Sequence, residues 1–98
     1  MIVFAQEALD DLEKIFEFNF GRDPATALAH VEVVRSAVLV LEAHPNIGRA
    51  LGGGSTLREL VISHGQSGYV ALYDQAPDEA LIRVVAVRHQ RETGYRDR

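Results

Sequence analysis

The sequence of 98 residues contains no cysteine, no tryptophan, one methionine and three prolines. The absence of cysteine excludes disulfide bonds, thiolate catalysis and zinc sites built on cysteine, and it is compatible with a reducing compartment. Apolar runs stay short of the roughly 18 residues that a membrane span requires, and the first residues lack the basic stretch of a signal peptide. We therefore expect a cytoplasmic globular protein with no membrane contact and one domain spanning residues 1–98.

Positive charge is also scarce, because the chain has a single lysine and a net charge of −4 at pH 7. This balance argues against a protein whose whole surface binds nucleic acid. The distribution is uneven: residues 1–42 carry eight acidic side chains against three basic ones, whereas residues 83–98 carry five arginines against two acids. Two solvated faces of opposite sign explain this pattern, and so does an arginine-rich tail that contacts an acidic partner or a phosphate backbone.

The spacing of apolar residues predicts a strand followed by two helices in the first half of the chain. Residues 1–4 form a short apolar run, and from residue 6 to 20 apolar side chains recur every three or four positions, as on one face of a helix. Gly21 is the expected C-cap, in the left-handed conformation. Asp23 and Pro24 predict the start of a second helix that runs to about Ala43. Its expected buried stripe is Leu28, Val31, Val34, Val38 and Leu41.

Three runs of β-branched and aromatic residues follow a glycine-rich loop that we expect over residues 45–56. The runs cover residues 57–63, 69–73 and 81–88, and their short connections are typical of antiparallel neighbours. In the last run, alternation places Ile82, Val84 and Ala86 on one face and Arg83, Val85 and Val87 on the other. The sequence therefore predicts an α+β fold of order β-α-α-β-β-β, with a helical hairpin on one face of a three-stranded antiparallel meander.

Neither a nucleotide nor a metal site is indicated. The glycines between residues 48 and 54 lack the lysine of a phosphate-binding loop, and a strand rather than a helix follows them. The four histidines show no metal-ligand spacing, so we expect no cofactor and no metal. His89 differs in its setting, because it follows Arg88 at the end of the last strand. A histidine among arginines can serve as general acid or base on a phosphodiester, although a solvated turn is the plainer interpretation.

Several segments, in this order, resemble the RelE/ParE superfamily of toxins from type II toxin–antitoxin modules, and more specifically its ParE-like, plasmid-stabilisation branch. The resemblance covers nearly the whole chain, implies the β-α-α-β-β-β fold, and rests on residues 8–15 of the first helix, 44–49, 58–61, 68–73 and 87–92. One departure is Ala5, at a helix N-cap where the family often has Thr or Ser. Alanine cannot cap the helix with a side-chain hydrogen bond, which costs about 1 kcal/mol.

The resemblance implies a toxin that a small cognate antitoxin neutralises. ParE-like members of the superfamily inhibit DNA gyrase, whereas RelE-like members cleave mRNA on the ribosome without a metal ion. The negative net charge, and Gln90 where nuclease relatives often carry tyrosine, favour gyrase inhibition, in which case the chain is not an enzyme. The alternatives are a ribosome-dependent mRNA endonuclease and an inactive member that acts only as an antitoxin-binding module.

Each activity implies its own set of site residues. For gyrase binding we expect the anchor in the C-terminal segment, since arginine and tyrosine dominate interface hot spots; its candidates are Arg88, Arg91, Tyr95 and Arg96. For mRNA cleavage the candidates are Arg58, Arg83, Arg88, His89 and Tyr95, and the three arginines among them would form a basic cleft. We expect the antitoxin to dock as an extended or helical peptide, on an edge strand such as residues 1–4 or on the helical hairpin.

Overall fold

The computed structural model of the chain describes residues 1–65, 67–76 and 80–90. Its helices are α1 (Gln6–Phe20) and α2 (Pro24–Leu39), the latter continued by a 3-10 turn, Val40–Glu42. Its strands are β1 (Ile2–Phe4), β2 (Arg49–Ala50), β3 (Arg58–His64), β4 (Ser67–Ala76) and β5 (Leu81–His89).

The five strands form one sheet in the order β1-β5-β4-β3-β2. Strand β1 pairs in parallel with β5, and the remaining neighbours are antiparallel. The predicted α+β fold and its element order are confirmed. The short strand β2 is an addition, because it forms inside the segment that we expected to be loop and pairs with the start of β3.

The residues at the helix ends show which of the predicted caps form. Asp23 caps α2, since its carboxylate accepts the Thr26 N–H at 2.9 Å and the Thr26 hydroxyl at 2.7 Å. These hydrogen bonds, the side-chain one foremost, lower the pKa of Asp23. Ala5 provides no side-chain cap to α1, as expected. Gly21 is the C-cap of α1, as predicted, but the expected left-handed conformation is wrong, because its φ of −60° is right-handed.

The core lies between the helical hairpin and one face of the sheet. Ala8 of α1 and Val34 and Val38 of α2 are buried there against Tyr73 and Val84. The predicted stripe of α2 is wrong at Leu28, which is 54 % exposed, because the buried side is centred on Ala27, His30, Val34 and Val38. Helix α2 is apolar around much of its circumference, so spacing alone does not fix which side faces the sheet.

A β-bulge in β5 changes the predicted alternation of its last residues. Tyr73 pairs with Val84 while Leu72 pairs with Ala86, so Val85 is an extra residue between them. Beyond the bulge, Val87 rather than Ala86 joins Ile82 and Val84 in the core cluster. Ala86 and Val87 therefore lie on opposite faces, as expected, but each lies on the face that we expected for the other.

The buried hydroxyl of Tyr73 fixes the loop that precedes β2. It accepts the Gly48 N–H at 2.9 Å and donates to the Pro45 carbonyl at 2.8 Å. A Cβ at position 48 would lie 2.5 Å from this hydroxyl and 2.9 Å from the Glu59 carbonyl oxygen, so the contact requires glycine. Arg58 adds a hydrogen bond to the Gly48 carbonyl at 2.7 Å.

Candidate functional site

Two carboxylates of α1 hold Arg88 at the open edge of β5. Strand β1 pairs with β5 as far as Val84, and beyond that point the Val87 N–H donates to Asp11 Oδ2 at 2.9 Å. The Arg88 guanidinium donates to the same oxygen at 2.5 Å and to Glu7 Oε2 at 2.7 Å. The hydrogen bond to Glu7, followed by the charge of Asp11, raises the pKa of Arg88 against the opposing effect of burial. Arg88 is therefore a fixed cation that joins α1 to the sheet.

Three histidines and a tyrosine gather beside Arg88, where α2 meets the ends of β3, β4 and β5. His30 Nδ1 lies 2.7 Å from the Tyr69 hydroxyl oxygen. The His64 ring contacts the His30 ring edge-on, with centroids 4.6 Å apart, and the His89 ring contacts Tyr69 in the same manner at 5.5 Å. The buried His30–Tyr69 pair thus forms the floor of a histidine cluster that comprises His30, His64, Tyr69 and His89.

The environment of the cluster keeps its two buried members neutral. Burial is the main cause that lowers the pKa of His30, and the charges of His64, Arg22 and His89 act in the same direction. Burial also raises the pKa of Tyr69, against a smaller opposing effect from Asn19. At neutral pH the hydrogen bond between His30 and Tyr69 therefore joins an uncharged imidazole to an uncharged phenol.

An open groove of about 1250 Å³ runs over this cluster. Lys14 and Arg22 line it, and so does Phe18, which is 84 % exposed. The acidic side chains in its lining are Glu7 and Asp11, and both are bound to Arg88. The groove is thus a positively charged surface on a chain of net charge −4, suited to an anionic or aromatic group. Within residues 1–65, 67–76 and 80–90, no three His, Asp or Glu side chains are placed to hold a metal ion.

The structure brings together two of the residues that the sequence singled out and separates two others. Arg88 and His89 both line the groove. Arg58 pairs across the strands with Tyr73 and shares its face of the sheet, at the end next to β2. On the other side of Tyr73, its partner in β5 is Val84. Arg83 is the residue before Val84, so its side chain projects from the face of the sheet opposite to Tyr73 and Arg58. It donates to Asp74 Oδ2 at 2.8 Å.

The expected basic cleft of Arg58, Arg83 and Arg88 is therefore wrong, because the three guanidinium groups are bound in different places. The other candidates, Arg91, Tyr95 and Arg96, lie outside the described residues.

The sequence did not predict that His30, His64 and Tyr69 belong to this site. Residues 30 and 69 are 39 positions apart, so no local sequence pattern predicts their contact. The one available signal is that His30 lies on the same helical face as Ala27 and Val34, where a polar ring needs a buried partner. Gln90, directly after β5, places its side-chain oxygen 2.1 Å from where a Cβ on residue 68 would lie, so a larger residue at position 68 would require the Gln90 side chain to move.

Comparisons with known protein families and sequences find matches that cover most of the chain. Residues 2–94 match the family described as ParE toxin of type II toxin-antitoxin system, parDE. The toxin RelE3 of Caulobacter vibrioides is 32 % identical over 82 residues, which make up 84 % of this chain and 85 % of the relative. A formamidopyrimidine-DNA glycosylase of Paraburkholderia xenovorans is 38 % identical over 79 residues, but this stretch covers just 26 % of that protein.

Solved structures show the same fold. The chromosomal ParDE toxin–antitoxin system from P. aeruginosa contains a chain with a TM-score of 0.73 and 18 % identity, covering 89 % of this chain and 91 % of that one. The intact E. coli RelBE toxin–antitoxin complex gives a TM-score of 0.66 with 14 % identity, covering 90 % and 93 %. At such identities the likeness concerns the fold.

Proposed function

Since this chain belongs to the ParE toxin family of type II toxin–antitoxin systems, we propose that it arrests growth by binding DNA gyrase in the cytoplasm. A cognate antitoxin holds it inactive, in a module of the plasmid-stabilisation type. The toxin binds its target by protein–protein contact and makes no covalent change to it. Its anchor is the C-terminal segment that begins after Gln90 and contains Arg91, Tyr95 and Arg96.

The observation that carries this proposal is the separation of the arginines. Metal-independent cleavage of RNA requires a general base, a general acid and a cation to converge on one phosphate. Arg58 instead donates to backbone carbonyls, Arg83 is bound to Asp74, and Arg88 is held by two carboxylates. An arginine paired with two carboxylates offers little net positive charge to a developing phosphorane. It is well suited to holding the end of β5 in place.

The fixed position of Arg88 also explains how the adjacent segment would reach a target. Asp11 and Glu7 tie Arg88 to α1, and Gln90 packs against Gly68, so the last described residues are held on the sheet. A segment that leaves a fixed point loses less conformational entropy on binding than one that leaves a mobile end.

The antitoxin is the second proposed partner. The similar structures are described as toxin–antitoxin systems, and the outer edge of β1 and the exposed apolar side chains of α1, such as Leu9 and Phe18, fit an extended or helical peptide. Co-expression with the product of the neighbouring reading frame, followed by affinity purification, tests this interaction. Elution of the two proteins separately at micromolar concentrations would contradict it.

One observation favours mRNA cleavage as a second candidate function. The groove places His89 and Arg88 beside the neutral His30–Tyr69 pair, and a toxin named RelE3 is 32 % identical to this chain. In that case His89 would transfer the proton, and Arg88 would need to exchange its carboxylate partners for a phosphate. The third candidate, an inactive family member that acts only by binding the antitoxin, would cause no growth arrest.

Pulse labelling in cells that express the chain distinguishes these functions. Gyrase inhibition should stop DNA synthesis before protein synthesis, whereas mRNA cleavage should stop protein synthesis first. We expect early loss of DNA synthesis, and we expect removal of residues 91–98 to abolish it while antitoxin binding persists. His89→Ala serves as the matched variant and should still cause growth arrest. If this variant no longer arrests growth, and the wild type stops protein synthesis before DNA synthesis, the nuclease function would be favoured.

A further inference from the structure

Helix α2 carries more apolar surface than this fold covers. By length and composition alone the segment Pro24–Glu42 is apolar enough to cross a membrane. No more than 28 % of its most apolar stretch is buried in this fold. On its outward side Leu28 is 54 % and Leu39 is 59 % exposed. Large exposed apolar residues at two places on one helix face are typical of a surface that meets a partner.

The outward side of α2 has the spacing of a coiled-coil seam. Leu28, Glu32, Arg35 and Leu39 follow one another at intervals of four, three and four residues, which are the intervals of the a and d positions of heptads. All four side chains are exposed. Glu32 and Arg35, at the centre, form an exposed ion pair with 2.9 Å between Nη1 and Oε1. An exposed pair of this kind contributes little to the stability of a single chain.

We infer that a second copy of this chain covers this face, with the two α2 helices antiparallel about a twofold axis that passes between Val33 and Val34. In this arrangement Leu28 of each copy lies opposite Leu39 of the other. Glu32 of each copy lies opposite Arg35 of the other, so the two ion pairs join into a network of four alternating charges. The surface is thus complementary to itself, as an interface with twofold symmetry requires.

The charges also select the direction of the pairing. A parallel arrangement in the same seam would place Glu32 opposite Glu32 and Arg35 opposite Arg35, and like charges in contact are unfavourable. Leucine at the two ends of the seam supplies apolar contact in either direction. The central charges therefore favour the antiparallel dimer specifically.

The available area makes this a weak dimer. Helix α2, with 16 residues, is about 24 Å long. A shallow groove of about 500 Å³ between α2 and β3 adjoins the seam at Glu32 and Ser36 and extends to Val61, which is 55 % exposed. Even with this extension, the surface is smaller than the roughly 800 Å² per partner of a standard interface. We expect a dissociation constant in the range of about 10–100 μM.

Sedimentation equilibrium of the full chain between about 5 and 500 μM tests the inference. The wild type should shift from monomer to dimer across this range. Glu32→Arg and Arg35→Glu should each remain monomeric, because each variant places like charges opposite one another. An equimolar mixture of the two variants should recover the dimer, since all four central charges are then complementary. Glu13→Arg, an exposed charge reversal on α1, should behave as the wild type.

Three outcomes would overturn the inference. The wild type remains monomeric throughout, or the single variants dimerise like the wild type, or their mixture fails to recover the dimer. The same samples are incubated with vesicles of phosphatidylcholine and phosphatidylglycerol, and binding by a monomeric wild type would assign the face to a membrane surface. The inference does not depend on the proposed gyrase target, because the measurement contains neither gyrase nor antitoxin.

Discussion

Replacing Asp11 by asparagine tests whether Arg88 is a structural cation. Asparagine keeps the shape of the side chain, and its oxygen can still accept the Val87 N–H. The same oxygen can also accept from the Arg88 guanidinium, but it no longer carries a negative charge, so Glu7 is left as the carboxylate partner of Arg88. Asp10 provides a matched control, because it is the adjacent residue on the same helix, is exposed, and accepts a hydrogen bond from Gln6 in place of an ion pair.

The expected magnitude follows from the burial of the two partners. Hydrogen bonds to charged groups contribute about 1.5–3 kcal/mol, and the loss of one partner of a buried ion pair costs about 3–5 kcal/mol. The Asp11 side chain is 10 % exposed and that of Arg88 is 32 % exposed, so solvent screening places the cost of Asp11→Asn at about 2 kcal/mol. Asp11→Ala also removes the acceptor of the Val87 N–H and should cost about 3–4 kcal/mol. Asp10→Asn should remain within about 0.5 kcal/mol of the wild type.

Urea unfolding at pH 7 measures these differences as shifts of the midpoint at constant slope. For a chain of this size, about 2 kcal/mol corresponds to a decrease in Tm of roughly 8–16 °C. A double-mutant cycle with Arg88→Met should give a coupling energy of at least about 1 kcal/mol. If Asp11→Asn is as stable as Asp10→Asn, or if the cycle shows no coupling, the structural role of Arg88 is refuted and Arg88 returns as a candidate for phosphate binding.

Three further predictions concern the core and the histidine cluster. Tyr73→Phe should lower the free energy of unfolding by about 2–4 kcal/mol, because the buried Gly48 N–H and Pro45 carbonyl both lose their partner; urea unfolding measures this. Gly48→Ala should destabilise by at least about 2 kcal/mol through overpacking, whereas Gly21→Ala, with no atom within 4 Å of the added Cβ, should change stability by less than about 0.5 kcal/mol. The pKa of His30 is lowered, so the unfolded chain takes up the proton first and stability should fall as the pH decreases below about 6.5. An NMR titration in which His30 titrates at or above this value would contradict the burial argument.

The helices were predicted from the periodic spacing of their apolar residues, but their buried sides were predicted less well than their bounds. Helix α1 has the bounds that the spacing predicted, although Leu9 and Phe20 of its apolar series are exposed and Asp11 is buried. The predicted stripe of helix α2 is buried at Val34, Val38 and Leu41 but exposed at Leu28, since Leu28 fits the apolar spacing while the polar His30 takes the buried position near that end. The register change at Val85 was also missed, because a bulge leaves the composition of the strand unchanged.

The candidate site was less accessible to prediction than the fold. Arg88 and His89, which the sequence singled out, both line the groove, but the partners of Arg88 lie 77 and 81 positions away on α1. The basic cleft was wrong because strand alternation places Arg83 and Arg58 on opposite faces of the sheet. Contacts of this kind depend on the register between distant strands, which a single sequence does not specify.

The measurement that tests the proposed function most directly is the ATP-dependent supercoiling of relaxed plasmid DNA by purified gyrase in the presence of the full chain. We expect inhibition at concentrations comparable to that of gyrase, loss of this inhibition on removal of residues 91–98, and its retention in His89→Ala. The parallel reaction contains ribosomes programmed with mRNA and the same protein. Unaffected supercoiling together with mRNA cleavage at codon positions, abolished by His89→Ala, would contradict the proposed inhibition of gyrase.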